Sequence, residues 1–237
     1  MLTQTRILNP LGIKTVVDLP GVGENLLEQP NHLYAKAGNL PQSSNAYHTF
    51  VSMKDLFGSN VTAVEKSTYV SIPKWAKQIV TASGPGALNL NAIKKLLYIQ
   101  HDLLFNHNVT AAEVITVVAT GIFASNFWIL MPFSRGSVHL GSADKIDEPL
   151  YDPRLFLADF DYTATVGIAK LAQKYWLSKP INDYVTGEFP MPPGSEPIPD
   201  DATDAQWETF LRGPAREYLT SFLHFLASFF KPSTICL

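Results

Sequence analysis

Gly21 and Gly23 follow a strand-like apolar segment, an arrangement that can bind the pyrophosphate of a dinucleotide at the start of a helix. That fingerprint requires a third glycine, and Leu26 occupies its position. Pro30 interrupts the segment where the helix would have to continue, and the acidic residue expected about 20 residues further on is missing. We therefore interpret the two glycines as a structural turn and not as a nucleotide site.

Other residue types that could do chemistry lack the partners that the chemistry requires. The sequence contains no Gly-x-Ser-x-Gly motif, and its single cysteine, Cys236, has no neighbour that would activate a thiolate. One cysteine also excludes a disulfide within the chain and a thiolate zinc cluster. Asp159 and Asp161 have the spacing of a metal or phosphate pair, but we favour capping of the following helix. We predict no catalytic residue in this chain.

The histidines do not suggest a metal site either, because no two of them are spaced i, i+4. His139 lies in a predicted strand, where a packed or surface role is favoured over that of a catalytic base. We therefore predict no metal site. The six histidines are His32, His48, His101, His107, His139 and His224.

The composition is that of a globular protein with few charges. Lysine and arginine number 18 and aspartate and glutamate 21, which gives a net charge of −3 and no basic stripe for nucleic acid. The charged share of 16% lies below the roughly 25% of typical soluble domains. We expect a large buried surface, a pocket, or a face that packs against something else. The tryptophans are assigned to the core: Trp75, Trp128, Trp176 and Trp207.

The segment 114–133 carries no charge over 20 residues, which is long enough to span a membrane. It contains Gly121, Ser125 and Asn126, and its apolar parts are β-branched or aromatic runs of strand length. We therefore predict two buried strands, 114–120 and 127–133, joined by a turn. The first ten residues lack the apolar run of a signal peptide, and we predict no membrane contact.

The remaining pattern predicts an α+β fold with mainly antiparallel pairing. Residues 31–60 are interpreted as rich in loops, and five prolines between 190 and 199 indicate an irregular crossing. Strands are predicted at 13–19 and 136–140. Helices are predicted within 63–79 after Pro73, at 92–105, at 159–174 continuing towards Trp176, and at 205–212.

Two segments carry a resemblance that these patterns do not explain. The first runs from Leu11 to Pro30 and includes the letters LGI and DLPGVGENL; the second begins PFSRGSV at Pro132. Together they resemble two motifs of the glucose–methanol–choline (GMC) oxidoreductases, in the same order and at similar spacing. The second motif continues with Leu140, Ser142, Ala143, Asp144, Pro149, Asp152, Pro153 and Arg154.

The resemblance covers about residues 6–212 and implies the substrate domain of an FAD enzyme. Members of the family oxidise an alcohol by passing a hydride from its CH–OH group to the flavin. Their substrate domain is an antiparallel sheet flanked by helices. Residues 1–30 would then be a remnant that joins the FAD-binding domain, 31–212 the substrate domain, and 213–237 a divergent tail. A non-catalytic module that binds a small molecule or a partner is the alternative.

The departures from the family pattern predict a truncated chain that neither holds FAD tightly nor turns over. The family's glycine-rich phosphate loop is missing, and no His-x-x-Gly-Thr motif follows Arg212, so the catalytic role is not assigned to His224. In some members the strip after the first motif borders the substrate pocket, where Gln29 stands in place of histidine. Gln29 and Asn31 are therefore candidate pocket residues, with a structural turn as the alternative.

Two Asn-x-Thr sequons begin at Asn60 and Asn108. Both asparagines are candidates for glycosylation, and their presence favours a secreted parent enzyme.

Overall fold

The structure is a computed structural model and describes residues 2–40, 46–119, 121–144, 147–190 and 196–212. Helices and antiparallel sheets form an α+β architecture, which confirms the predicted fold class. The chain folds into two compact units. We call Met1–Gln29, Ser52–Ala111 and Leu130–Thr163 the motif unit, and Pro30–Val51, Ala112–Ile129 and Ala164–Leu237 the sheet unit.

The elements are numbered along the chain. The strands are β1 Leu2–Thr3, β2 Val17–Asp18, β3 Glu24–Leu26, β4 His32–Gly38, β5 Ala46–Val51, β6 Ala112–Ala119, β7 Ile122–Ile129, β8 Gly136–His139, β9 Leu150–Asp152 and β10 Val185–Glu188. The α-helices are α1 Thr5–Leu8, α2 Met53–Phe57, α3 Val61–Ser83, α4 Leu90–Phe105, α5 Asp159–Trp176 and α6 Asp204–Arg212. The helices predicted at 92–105, 159–174 and 205–212 are thus confirmed.

The sheet unit is built on a five-stranded antiparallel sheet with the order β10-β4-β7-β6-β5. Its centre is the uncharged segment, which forms β6 and β7 as two strands, as predicted. Strand β7 begins five residues earlier than predicted, because the chain reverses at Gly121, whose φ is +77°. Ser125 and Asn126, which we had placed in the turn, therefore lie inside β7. Within the described residues no helix is long and apolar enough to cross a membrane.

Helices cover the face of this sheet that carries Tyr34, Phe123 and Ser125. Trp176 of α5 stacks on Phe123 with 5.2 Å between ring centroids, and its indole donates to Ser125 Oγ at 2.9 Å. Trp207 of α6 meets Tyr34 edge-on at 5.8 Å. Both tryptophans are buried, which confirms their assignment to the core.

The prediction that 31–60 is rich in loops is wrong, because this range holds β4, β5 and α2. Strand β4 is buried along nearly its whole length on both faces. Its sequence therefore lacks the alternation of apolar and polar residues by which a half-buried strand is recognised.

The strand predicted at 13–19 is reduced to the two residues of β2, which pair in parallel with β1. Val16 and Val17 are 70% and 47% exposed. The alternation of apolar and polar residues in this segment thus does not correspond to a buried face. No strand longer than two residues forms there.

Helix α3 is longer than predicted, and Pro73 lies inside it instead of at its start. Pro73 is exposed, whereas Ile72, Trp75 and Ala76 beside it are buried. The packing of this buried face keeps the helix continuous although proline supplies no backbone N–H.

In the motif unit, β8 pairs with β3 and β9 in a three-stranded antiparallel sheet. The strand predicted at 136–140 is therefore present, but it does not extend the sheet formed by β6 and β7. Helices α3 and α4 pack against each other, with Tyr69 and Tyr98 in ring contact at 4.9 Å and His101 Nε2 3.0 Å from the carbonyl of Glu65. Residues 41–45 and 191–195, from two predicted irregular segments, and the tail 213–237 lie outside the described residues.

Candidate functional site

The two motif segments, about 110 residues apart in sequence, meet as paired strands. Glu24 of β3 lies opposite Ser137 of β8, and Leu26 lies opposite Gly136. Gly23 has a φ of +84°, and a Cβ there would overlap the carbonyl oxygen of Val138. A Cβ on Gly136 would overlap the backbone of residues 152 and 153. Glycines of both motifs therefore allow a close approach of two backbones.

The side chain of Glu24 is fully buried and contacts several parts of the motif unit. Its Oε1 lies 2.9 Å from His139 Nε2 and accepts hydrogen bonds from Arg6 at 3.0 Å and Gln4 at 3.2 Å. The guanidinium of Arg154 lies 3.8 Å from Oε2. Burying a carboxylate is costly unless it is paired and hydrogen-bonded, and these partners offset that cost. His139 thus has a structural role, in agreement with the interpretation from sequence.

Arg135 is buried and anchors the loop before β8. Its Nη1 donates to the carbonyls of Pro132 at 2.5 Å and Ser134 at 2.8 Å. Its Nη2 donates to Gln100 Oε1 at 2.7 Å, and Gln100 in turn donates to the carbonyl of Met131. Burial lowers the pKa of Arg135, and the charge of the nearby carboxylate opposes this shift.

The helix-capping interpretation of Asp161 is corrected by the structure. This carboxylate is buried, and its oxygens accept the backbone N–H groups of Phe133 at 2.6 Å and Ser134 at 2.7 Å. Burial raises the pKa of Asp161 to about 6, although these hydrogen bonds act in the opposite direction. Asp161 therefore holds the loop before β8. Asp159 instead accepts hydrogen bonds from the side chains of Lys74 and Trp75.

In the described part of the chain, no three histidine, cysteine, aspartate or glutamate residues come together as metal ligands.

The second face of the five-stranded sheet carries a buried amide oxygen without a hydrogen-bond partner in the described part of the chain. Asn126 of β7 lies between Leu33 of β4 and Ile115 of β6 in the register of the strands. It is 3% exposed, and its Oδ1 has no hydrogen-bond partner in the described part of the chain. An unpaired buried amide is destabilising by about 1–3 kcal/mol. Sequence reasoning missed this residue, although a polar side chain at an apolar position of a strand was the available signal.

The two candidate pocket residues belong to different units. Asn31 precedes β4 by one residue, and its Oδ1 is also buried without a partner in the described chain. Gln29 belongs to the motif unit, where its Nε2 donates to the carbonyl of Leu130 at 2.9 Å.

Lys36 is a second group that sequence reasoning missed. It is 2% exposed on β4, and its ammonium contacts Glu188 of β10 and Asp200, the latter at 2.5 Å. Burial alone would lower the pKa of Lys36, but the hydrogen bonds to Asp200 and Glu188 outweigh it and raise that pKa. Lys36 is therefore a charged clamp at the β4–β10 edge and is unsuited to act as a base near neutral pH.

Comparison with known proteins identifies relatives of this chain. No family model matches the chain. It is 48% identical over 201 residues to the glucose oxidase-like protein fsoC of Humicola fuscoatra, covering 85% of this chain and 33% of that protein. It is 30% identical over 210 residues to a glucose oxidase of Aspergillus carbonarius, covering 87% of this chain and 33% of that protein.

Solved structures show the same fold. An FAD-dependent oxidoreductase from Chaetomium thermophilum superposes with a TM-score of 0.69 at 19% identity, over 89% of this chain and 40% of that one. The chain spans about a third of the length of the curated relatives that it matches. The chain is therefore homologous to about one third of the length of the glucose oxidase-like GMC oxidoreductases.

Proposed function

We propose that this chain forms the substrate-domain part of an FAD-dependent GMC oxidoreductase that oxidises the CH–OH group of a small alcohol or sugar. The observation that carries the proposal is the 48% identity to a glucose oxidase-like protein over 201 residues. In this proposal residues 31–212 provide the substrate domain and residues 1–30 join it to the FAD-binding domain.

The second face of the five-stranded sheet supports a contact with a hydroxylated substrate. Asn126 and Asn31 each present a buried amide oxygen without a partner in the described chain. A substrate hydroxyl donated to either oxygen would remove the penalty of the unpaired group. Asn126 and Asn31 are therefore proposed as pocket residues of the sheet unit, and Gln29 is proposed separately as a pocket residue of the motif unit.

The residues of this chain do not fit the pyrophosphate of FAD. Such a group is bound at a glycine-rich loop that opens a helix, and the sequence contains no Gly-x-Gly-x-x-Gly. The turn at Gly21 and Gly23 leads into strand β3 and not into a helix. We therefore propose that the chain alone does not hold FAD tightly.

Titration of the purified chain with FAD tests the last point. We expect free-flavin absorbance and fluorescence throughout, and no change on addition of alcohols. Stoichiometric binding with alcohol-dependent bleaching of the flavin would overturn the inactivity of the isolated chain. Saturable binding of a small alcohol by a stable monomer without flavin would support the alternative of a binding module.

A hybrid enzyme tests the reaction class. The 201 matched residues replace their counterparts in the Humicola protein, and the hybrid is purified with its flavin content measured. We expect it to retain FAD and to be reduced anaerobically by at least one member of a panel of primary alcohols and sugars. A hybrid that retains FAD but is reduced by no CH–OH compound would contradict the proposed reaction.

A secreted, glycosylated parent enzyme is a separate proposal that rests on Asn60 and Asn108. Both residues are exposed, Asn60 in the turn before α3 and Asn108 in the loop after α4. Expression with a secretion signal in a fungal host should give a mass decrease on treatment with peptide N-glycosidase. Asn60→Gln and Asn108→Gln should each remove part of that decrease, and an unmodified wild-type chain would refute the proposal.

A further inference from the structure

A cleft of about 260 Å³ lies in the motif unit between helix α3 and the first turn of α5. None of the five-stranded sheet takes part in it, and neither does the Glu24 network. Polar groups of α3 and α5 line its walls, and two aromatic side chains, Trp75 and Phe160, contribute apolar surface. The lining residues are Val64, Ser67, Thr68, Ser71, Trp75, Asp159, Phe160 and Thr163.

Three hydroxyl groups of the lining already donate their hydrogens to helix carbonyls. Ser67 Oγ donates to the carbonyl of Val64 at 2.9 Å, and Ser71 Oγ donates to that of Ser67 at 2.8 Å. Thr163 Oγ1 donates to the carbonyl of Asp159 at 3.3 Å. A hydroxyl has one hydrogen and two lone pairs, so these groups offer only acceptor positions to a ligand.

The carboxylate of Asp159 adds a charged acceptor to the same cleft. One of its oxygens accepts from the indole of Trp75 at 2.6 Å and the other from the ammonium of Lys74 at 3.0 Å. Burial would raise the pKa of Asp159, but the hydrogen bonds from Lys74 and Trp75 outweigh it and lower that pKa. The side chain is 67% exposed, and each ionised oxygen has a further lone pair available.

These acceptors favour a ligand that donates hydrogen bonds, such as a cationic amine or a neutral polyol. The ammonium of Lys74 lies against the same carboxylate and would repel a second cation. The apolar surface of Phe160 and Trp75 matches the C–H groups of a polyol, and the volume is below that of a typical drug-sized pocket. We propose that this cleft binds a small neutral polyhydroxylated molecule, a linear polyol or a monosaccharide.

The indole N–H resonances of the full-length chain test this directly, without flavin. D-sorbitol and D-glucose are titrated into ¹⁵N-labelled protein, with methylammonium chloride as the cationic probe. We expect the resonance of Trp75 to shift saturably with a polyol probe, because its N–H donates to Asp159. The resonances of Trp176 and Trp207, which do not line the cleft, should stay in place. Absence of any polyol-dependent shift of Trp75, or tighter binding of methylammonium, would overturn the proposal.

Variants of the cleft provide the second test. Ser67→Ala combined with Ser71→Ala removes two acceptors from an exposed helix surface and should weaken polyol binding about tenfold. Ser178→Ala is the matched control, because Ser178 Oγ donates to a helix carbonyl in the same way, at 2.6 Å, but does not line the cleft. Equal affinities of the double variant and the wild type would place the polyol elsewhere and contradict the assignment.

Discussion

Particular buried polar side chains of the motif unit and of the sheet unit differ in what they contact. In the motif unit Arg135 and Asp161 bind backbone groups of the loop before β8, and Glu24 has three hydrogen-bond partners. In the sheet unit the buried amide oxygens of Asn126 and Asn31 have no partner in the described chain. The buried charges of Arg135 and Asp161 thus hold backbone loops of the motif unit, whereas the two amide oxygens of the sheet unit contact no donor in the described chain.

This difference explains why the two sequence motifs were recognisable and yet contain no reactive group. Their glycines allow backbones to approach, and their charged side chains hold the loops that result. Such constraints permit few other residue types at each position, and they leave a recognisable pattern in the sequence. Asn126 belongs to neither motif and leaves no local pattern of this kind.

The largest effect is expected from Gly136→Ala, which tests the close packing of the motif unit. The added Cβ would overlap the backbone of residues 152 and 153, which cannot move aside as a flexible side chain could. The free energy of unfolding, measured by urea denaturation, should fall by more than about 3 kcal/mol. Gly187→Ala in β10 is the control, because nothing lies within 4 Å of its added Cβ. Similar losses for both variants would contradict the packing argument.

A somewhat smaller effect concerns the pH dependence that Asp161 imposes. Its pKa is about 6 in the folded chain and about 3.8 when unfolded, so the folded state keeps a proton between these values that the unfolded state releases. The free energy of unfolding should therefore decrease as pH rises from about 4 to about 6, by about 3 kcal/mol in total.

Asp161→Asn should remove this pH-dependent component while lowering stability through the loss of one of the two backbone acceptors. Asp159→Asn, two residues earlier on the same helix and 67% exposed in its side chain, should leave the slope between pH 4 and 6 in place. Parallel pH profiles for the wild type and Asp161→Asn would show that the buried carboxylate does not govern this range.

The smallest effect distinguishes the two faces of the five-stranded sheet. Asn126→Leu removes a buried amide oxygen without a partner and should raise the free energy of unfolding by about 1 kcal/mol. Ser125→Ala, at the neighbouring position on the opposite face, should lower it by about 1–2 kcal/mol because the indole of Trp176 loses its acceptor. A destabilised Asn126→Leu chain would mean that this amide is satisfied within the sheet unit, and the comparison of the units would fail.

Particular elements show how far the sequence alone could lead. Helices α4, α5 and α6 were predicted because their apolar residues recur at helical spacing, and β6 because its run is β-branched. Strand β4 was missed because it is buried on both faces and its sequence does not alternate. The length of β2 was overestimated because its apolar residues alternate with polar ones without being buried. The resemblance to the GMC oxidoreductases was read from short backbone-determined motifs, which the relatives then supported.

The sequence by itself determined the α+β class and the family resemblance, because these depend on local periodicity and short spacings. Only the tertiary structure decided that β3 pairs with β8, that Asp161 serves the loop before β8, and that Asn126 lies buried without a partner. The physical reason is that strand pairing, burial and hydrogen bonding join residues far apart in the chain. Neither composition nor periodicity encodes which of those distant groups will meet.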